Sequence, residues 1–402
     1  MQDNENRFAV NLNTAKVGII NMIKNDIENG MHSPTMLQGG AGIGKSSMGR
    51  EIAKDIAKYL DREYLDLSDP KSRSDFEKKS KGKIDYSKYY FFIAWLPSTK
   101  DVESLYFPYL QDEEHGKKVR YAVTDELPPS FWDHPDFVGM LMIDEIGQAD
   151  ESVQKILMSL LLDRGFNGYI LPDGVNIVGA SNRAIDFAGV RPMLRTVKDR
   201  IVTIYDLKYD FESWYHNWGI DNIHSDILSY LRFTPDHLYT YEHKDVGIND
   251  KASTPRSIEF LNRVYTNKEY DEFKSLSKEE QSQLRTASYV GCVGWLVGQS
   301  FSNFLELRDQ ITIDPKDVLN DPEGTELIFH GDKDTDGYTC ALIAQLVTMI
   351  STKTEFKNAI TYLNRLQQKE YVVFFATYVA RKNPDLAKGK FYNDFLLENH
   401  ID

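Results

Sequence analysis

The 402-residue chain carries 47 Lys and Arg against 61 Asp and Glu, a formal net charge of −14, with 41% hydrophobic and 27% charged residues. At ~150 residues per domain this is two to three domains with room for a buried core, and the composition excludes a disordered chain. Cys292 and Cys340 are too few for a disulfide framework or a four-cysteine zinc site and suit a reducing, cytoplasmic setting, while the acidic balance weighs against a broad grip on nucleic acid.

The N-terminal stretch MQDNENRF has no apolar core of the kind a signal peptide needs, so none is expected here. The periodicity predicts a first helix over 15–28, with Val17, Ile20 and Ile23 to one side and a stop at Asn29-Gly30. An apolar run at 35–37 leads into a glycine-rich turn at 39–44, and a helix over 46–60 follows with Met48, Ile52, Ile56, Tyr59 and Leu60 on one face. Residues 61–88 change character: 66–85 are dense in Lys, Ser and Asp and read as a charged insertion or solvated connection. Order returns at 89–96 (YYFFIAWL), a buried strand by its aromatic and β-branched content.

The run FVGMLMI at 137–143 is apolar on both parities, as a strand covered on both faces must be, and it ends at Asp144-Glu145. A helix over 150–164 follows, with Val153, Ile156, Leu157, Leu160 and Leu161 at helical spacing. Strands are expected at 175–180, ahead of Ser181-Asn182-Arg183, and at 201–205 after a short basic helix. Strands alternating with helices over 34–207 predict an α/β domain with a mostly parallel sheet and helices on both faces. Beyond 208 only helical patterns are read, at 210–232, 254–267, 278–307, 337–351 and 354–382. No run approaches the ~20 apolar residues of a membrane helix; 289–296 and 371–380 read as buried helix segments.

The strongest chemical signal is Gly39-Gly40-Ala41-Gly42-Ile43-Gly44-Lys45-Ser46, a full match to G-x-x-x-x-G-K-[ST]. Glycines let consecutive backbone N–H groups turn toward phosphate oxygens, and the helix after the loop adds the positive end of its dipole. Lys45 supplies a point charge to the β and γ phosphates, and the Ser46 hydroxyl suits Mg2+. Asp144-Glu145 closes a strand about a hundred residues later, where a carboxylate meets the crevice at the carboxyl ends of a parallel sheet. There Asp144 suits Mg2+ and Glu145 the activation of an attacking water. Asn182, at the next strand's tip, can orient that water; the bland reading is an Asn that opens a turn.

In order, GGAGIGKSS, STKDVESLYFPYLQDEEHGKKVRYAVTDELPP, LMIDEIGQADESVQKILMSLLLDRG, YILPDGVNIVGASNRAID, LRTVKDRIVTIYDL and ASTPRSIEFLNRVY resemble the AAA+ ATPases, specifically the MoxR-like branch, over roughly residues 12–268. The resemblance implies an α/β P-loop core at 31–207 behind an N-terminal helical segment at 1–30, an all-α lid at 208–300 and a helical region of unassigned role at 301–402. It implies ATP and Mg2+ as cofactors, held by Gly39, Gly40, Ala41, Gly42, Ile43, Gly44, Lys45, Ser46 and Ser47, with Ser46 and Asp144 on the metal. It makes Glu145 catalytic, Asn182 the sensor 1 residue, Arg200 the arginine finger, with Arg191 and Arg195 as rivals, and Arg256 sensor 2, in cis or in trans. Thr254 and Pro255 suit the cap and first position of the helix that carries Arg256.

The implied activity is ATP hydrolysis at the subunit interfaces of a homo-oligomeric, hexameric ring that remodels, matures or assembles a protein, with a von Willebrand factor A-type partner. The loops between 97 and 136 would face that partner or a pore, with Tyr106, Phe107, Pro108 and Tyr109 as aromatic candidates; the alternative is a hairpin packed on the core. A nucleic-acid motor or loader is the other class considered, disfavoured by the charge and by the lack of a basic, aromatic-laced stripe. Asp332-Lys333-Asp334-Thr335-Asp336-Gly337 opens like an EF-hand loop, but the twelfth position is Ile343 where a bidentate Glu is needed, and it reads as a charged turn.

Overall fold

The computed structural model describes residues 8–80, 85–113, 116–128, 136–183, 193–241, 246, 250–309, 311, 313–328, 335–366 and 369–399. The chain divides into two compact units, Met1–Tyr209 and Asp210–Asp402.

The first unit is built on a parallel sheet. Its strands are β1 (Thr35–Gln38), β2 (Glu63–Asp66), β3 (Tyr89–Trp95), β6 (Val138–Ile143), β9 (Val175–Ser181) and β10 (Thr203–Asp206), in the order β10-β1-β9-β6-β3-β2. The remaining strands make two antiparallel hairpins, β4 (Tyr106–Glu113) with β5 (Gly116–Val123), and β7 (Gly165–Phe166) with β8 (Tyr169–Ile170). The helices are α1 (Leu12–Asn29), α2 (Lys45–Tyr59), α3 (Pro70–Ser80), α4 (Val102–Leu105), α5 (Glu151–Asp163) and α6 (Arg195–Lys198).

Side-chain alternation along the strands feeds two cores. On one face Met140 and Met142 of β6 join Tyr90, Phe92 and Val178 under Ile19 and Ile23 of α1 and Ile52 and Ile56 of α2. On the other, Leu141 and Ile143 join Phe91, Ile93 and Trp95 against Val153, Leu157 and Leu160 of α5. This is the double covering that the unalternating FVGMLMI run requires. The α1 face keeps only Ile23 of the expected stripe: Ala15, Ile19 and Ile23 are buried, four residues apart, and Val17 is 68% exposed.

Residues 61–88, read as a charged insertion, instead contain β2 at the sheet edge and α3. Phe76 of α3 packs edge-on against Tyr89 and Phe91. Arg73, 5% exposed, donates to the carbonyl oxygens of Leu67 (3.2 Å), Asp125, Glu126 (2.8 Å) and Leu127 (3.1 Å). A guanidinium with several fixed donors can satisfy four carbonyls, which is how a polar segment is tied into the core.

The second unit shows helices and no strand among its described residues. α7 (Phe211–Trp214) runs through a π-helical turn at Tyr215–Gly219 into α8 (Ile220–Asn222) and is followed by α9 (Ser225–Phe233) and α10 (Pro255–Tyr265). Next come α11 (Asp271–Lys274), α12 (Lys278–Val293), α13 (Trp295–Asp309) and α14 (Pro315–Asn320). The last four are α15 (Thr335–Met349), α16 (Lys353–Arg365), α17 (Lys369–Lys382) and α18 (Lys390–Glu398).

The expected single helix over 278–307 is two, broken at Gly294, whose φ of 86° and close approach to the Lys251 carbonyl leave no place for a side chain. Asp226 of α9, 5% exposed, accepts from Arg308 Nη1 of α13 at 2.7 Å and from the Tyr265 hydroxyl of α10. This is a buried charge paired across three helices. No helix among the described residues is long and apolar enough to cross a membrane.

Candidate active site

The site forms where three neighbouring strands end. The strand order sets β9 between β1 and β6, with Gln38 beside Ser181 and Ile143 beside Gly179. The loop after β1, Asp144-Glu145 after β6 and Asn182 after β9 therefore meet at one edge, the carboxyl ends of a parallel sheet.

Gly44, at φ 101°, is the N-cap of α2 and provides no side-chain cap. The first turn of α2 thus presents backbone N–H groups and a partial positive charge to the loop. Lys45 is 7% exposed, and its ammonium donates to the carbonyls of Gly39 (2.8 Å) and Gly40 (2.7 Å) and to Asn182 Oδ1 (2.7 Å). One cation therefore ties the loop to the tip of β9. Ser46 Oγ donates to Asp144 Oδ2, and the other Asp144 oxygen accepts from the Glu145 amide at 2.9 Å. Ile43 packs against the core on the α1–α2 side, and Ser47 is exposed.

Glu145 sits at φ 54°, ψ 37°, a left-handed conformation that a side chain seldom adopts. Its carboxylate accepts from Ser98 Oγ at 2.7 Å. Ser98 lies in the 3₁₀ turn Pro97–Thr99 that follows β3. That turn is fixed from both sides: Asp144 N donates to Trp95 O (2.8 Å), and Glu126 accepts from Trp95 Nε1 (3.1 Å) and Lys100 Nζ (2.5 Å). Sequence reading passed over Ser98. Its only signal is a hydroxyl just past an apolar strand, which gains meaning once β3 is known to pair with β6.

Gln154 of α5 is 2% exposed; it donates to Ala149 O (3.0 Å) and accepts from Leu194 N (3.0 Å). It thereby sets the start of α6, and Arg200 follows α6 with Nη1 donating to Thr196 O at 2.6 Å. Arg200 Nε is buried with no hydrogen-bond partner among the described residues. Among the described residues the Arg200 hydrogen bond stays on its own turn, and the structure does not bring Arg200 together with Lys45, Ser46, Asp144, Glu145 and Asn182. Arg195 is exposed, and Arg191 lies outside the described residues. Arg256, in the second unit, is exposed in the first turn of α10, where Thr254 and Ser257 form a capping box and Pro255 opens the helix.

The donor set suits Mg2+ with a polyphosphate. Among the described residues no cluster of three His, Cys, Asp or Glu offers a self-contained metal cage. The Ser46 hydroxyl and Asp144 carboxylate supply two hard oxygens and leave the other positions to phosphate and water, as Mg2+ sites commonly do. The uncapped helix start and buried Lys45 suit the anion.

Fold and site together define the class: a P-loop nucleotide-binding fold, with a parallel sheet in which one strand separates the phosphate-loop strand from the acidic strand. No family model matches the chain, and no curated protein matches it. Among solved structures it is similar to a candidate ATPase from Cytophaga hutchinsonii, at 17% identity over 62% of this chain and 73% of that one, TM-score 0.29. It is also similar to the Thermotoga maritima RuvB Holliday junction branch migration motor, at 13% identity over 76% and 74%, TM-score 0.26. A third is C. elegans PCH-2, at 12% identity over 85% and 69%, TM-score 0.30. The class rests on the chain's own strand order and loop.

Proposed function

We propose that the chain is an ATP hydrolase of the MoxR-like kind, which binds ATP with Mg2+ at the subunit interfaces of a homo-oligomeric, hexameric ring and uses its turnover to remodel or assemble a partner protein. The observation that carries the ATPase reading is the Lys45–Asn182 contact at 2.7 Å, which brings the phosphate-loop cation to the polar residue at the tip of β9, the strand beside β1 in the sheet.

In this reading the backbone of 39–45 and the start of α2 bind the phosphates, and Lys45 exchanges its carbonyl partners for phosphate oxygens. Ser46 and Asp144 hold Mg2+, which neutralises phosphate charge as it develops. Glu145 takes the proton of the attacking water, and Asn182 fixes that water's orientation. Arg200 serves a neighbouring subunit, spreading planar positive charge over the transferring phosphoryl group. That role accords with a guanidinium whose Nε has no partner within its own chain's described residues. Arg256 acts on nucleotide from the second unit, 208–300 forms the lid, and a von Willebrand factor A-type protein is the partner the resemblance implies.

The test is a mixing experiment. Arg200→Ala and Glu145→Gln are each expected to abolish turnover alone. Mixed rings place an intact Glu145 beside a neighbour's intact Arg200, so activity returns toward about a quarter of wild type on random mixing. Mixed oligomers verified by native mass measurement that stay inactive would overturn the interface assignment.

A further inference from the structure

Ser98 reaches Glu145 from a turn whose own bonds are weak. In the 3₁₀ turn Pro97–Thr99, Thr99 N donates to Leu96 O at 3.4 Å and Lys100 N to Pro97 O at 3.1 Å, and the Thr99 hydroxyl returns to Leu96 O. Short 3₁₀ pieces have poor hydrogen-bond geometry, so their surroundings decide their shape. One carboxylate anchors both ends of this one. Glu126 Oε2 accepts from Trp95 Nε1 at 3.1 Å and Oε1 from Lys100 Nζ at 2.5 Å, so its two oxygens bracket the turn. Trp95 ends β3 and is buried, and the Lys100 and Glu126 side chains are only partly exposed, which shields a charge-assisted bond from water.

The backbone that carries Glu126 is held independently of the turn it brackets. Thr124 N donates to Leu105 O at 2.9 Å and Glu126 N to Thr124 Oγ1 at 3.3 Å, while Arg73 fixes the carbonyls of Asp125, Glu126 and Leu127. On its other side the turn lies against the 3₁₀ turn Ile146–Gln148, for which Glu145 is the N-cap. A side chain in the left-handed region persists where its neighbours over-determine it. Ser98 Oγ is such a neighbour, and it keeps that place only while its turn stays put.

We propose that Glu126 is a positioning residue: by bracketing the turn it holds Ser98 on the Glu145 carboxylate, and so restrains the group that activates water. Its effect on turnover rests on the ATP-hydrolase reading, to which it adds regulation; the mechanical link between the two turns does not.

The test pairs steady-state ATP turnover with amide hydrogen exchange on the nucleotide-free full chain. Glu126→Ala is expected to raise kcat roughly threefold with KM for ATP unchanged, the change expected of Ser98→Ala. Lys100→Met, which frees one end of the turn, should raise it by a smaller factor. Residues that act through one contact are not additive, so Glu126→Ala/Ser98→Ala should turn over no faster than Ser98→Ala alone. Exchange in Glu126→Ala should quicken at both 97–100 and 145–148 and keep the parent rate in β9. A structural role alone would lower the melting temperature and leave kcat at the parent value, or change it by the same factor with and without Ser98; either result overturns the assignment. Lys100→Met decides the same question should Glu126→Ala fail to fold. A parent chain without turnover contradicts the ATPase reading alone, and exchange then decides: quickening at 97–100 without 145–148 overturns the assignment, and quickening at both upholds it.

Discussion

The Ser98 hydroxyl donates to the Glu145 carboxylate across the gap between β3 and β6, at 2.7 Å. Glu145 is the residue proposed to activate water, and this contact holds it in a left-handed turn with one oxygen already engaged. Ser98→Ala should release the carboxylate toward the nucleotide and raise basal kcat roughly threefold with KM for ATP unchanged, as expected where a gating contact limits the rate. A coupled phosphate-release assay checks this, and an unchanged kcat would show that the contact only shapes the turn.

Lys45→Ala removes a buried cation with three acceptors. Nucleotide affinity should fall by roughly two orders of magnitude, the loss of about 2.7 kcal/mol of charge-assisted hydrogen bonding. ATP at about 100 times its Kd stabilises a folded site by about 2.7 kcal/mol. The ATP-induced rise in melting temperature should therefore be present in the parent chain and lost in this variant, as read by scanning fluorimetry.

Arg73→Met leaves four backbone carbonyls without their donor in a buried place. Unmet buried acceptors cost about 1–3 kcal/mol each, less what local relaxation recovers, so a loss of about 3 kcal/mol or more in urea unfolding of the first unit is expected. Arg73→Lys should rescue only part of it, because an ammonium cannot span the same set of carbonyls.

Asp66, at the end of β2, provides a pH test. Burial pushes its carboxyl up, but the Ser68 hydroxyl and amide and the Arg50 guanidinium outweigh that and hold it below the ordinary carboxylate range. A carboxyl depressed on folding contributes stability above its unfolded value, about 3.9, and that contribution is lost as pH falls through the folded value. Asp66→Asn should therefore destabilise the chain at pH 7, and the difference from the parent should shrink steadily below pH ~4. Paired unfolding curves across that range check the sign.

The parts of the site legible in the sequence are those whose chemistry is contiguous. The loop from Gly39 to Ser46 and the pair Asp144-Glu145 announce themselves because adjacent residues share one strand end. Asn182 was legible through the apolar run before it, and the doubly buried sheet through the unalternating apolarity of 137–143. Ser98 was not, because its partner lies 47 positions away and they meet only through the pairing of β3 with β6. Arg73 was hidden for a different reason: α3 is largely Lys, Ser and Asp, and its inward face consists of one guanidinium and Phe76 rather than an apolar stripe. Local composition reports solvent preference, whereas a buried Arg is settled by carbonyls that arrive from 125–127.

The central claim is that Glu145 activates water for ATP hydrolysis beside a nucleotide held by Lys45 and Asn182, and steady-state turnover of purified Glu145→Gln against the parent chain, with Mg2+ and saturating ATP, tests it most directly. The account predicts a measurable parent rate and a fall in kcat of about 10²–10⁴ with nucleotide binding retained, the contribution of a positioned general base. Equal rates in the two proteins, or a parent chain that binds ATP and never releases phosphate in any oligomeric state, would contradict it.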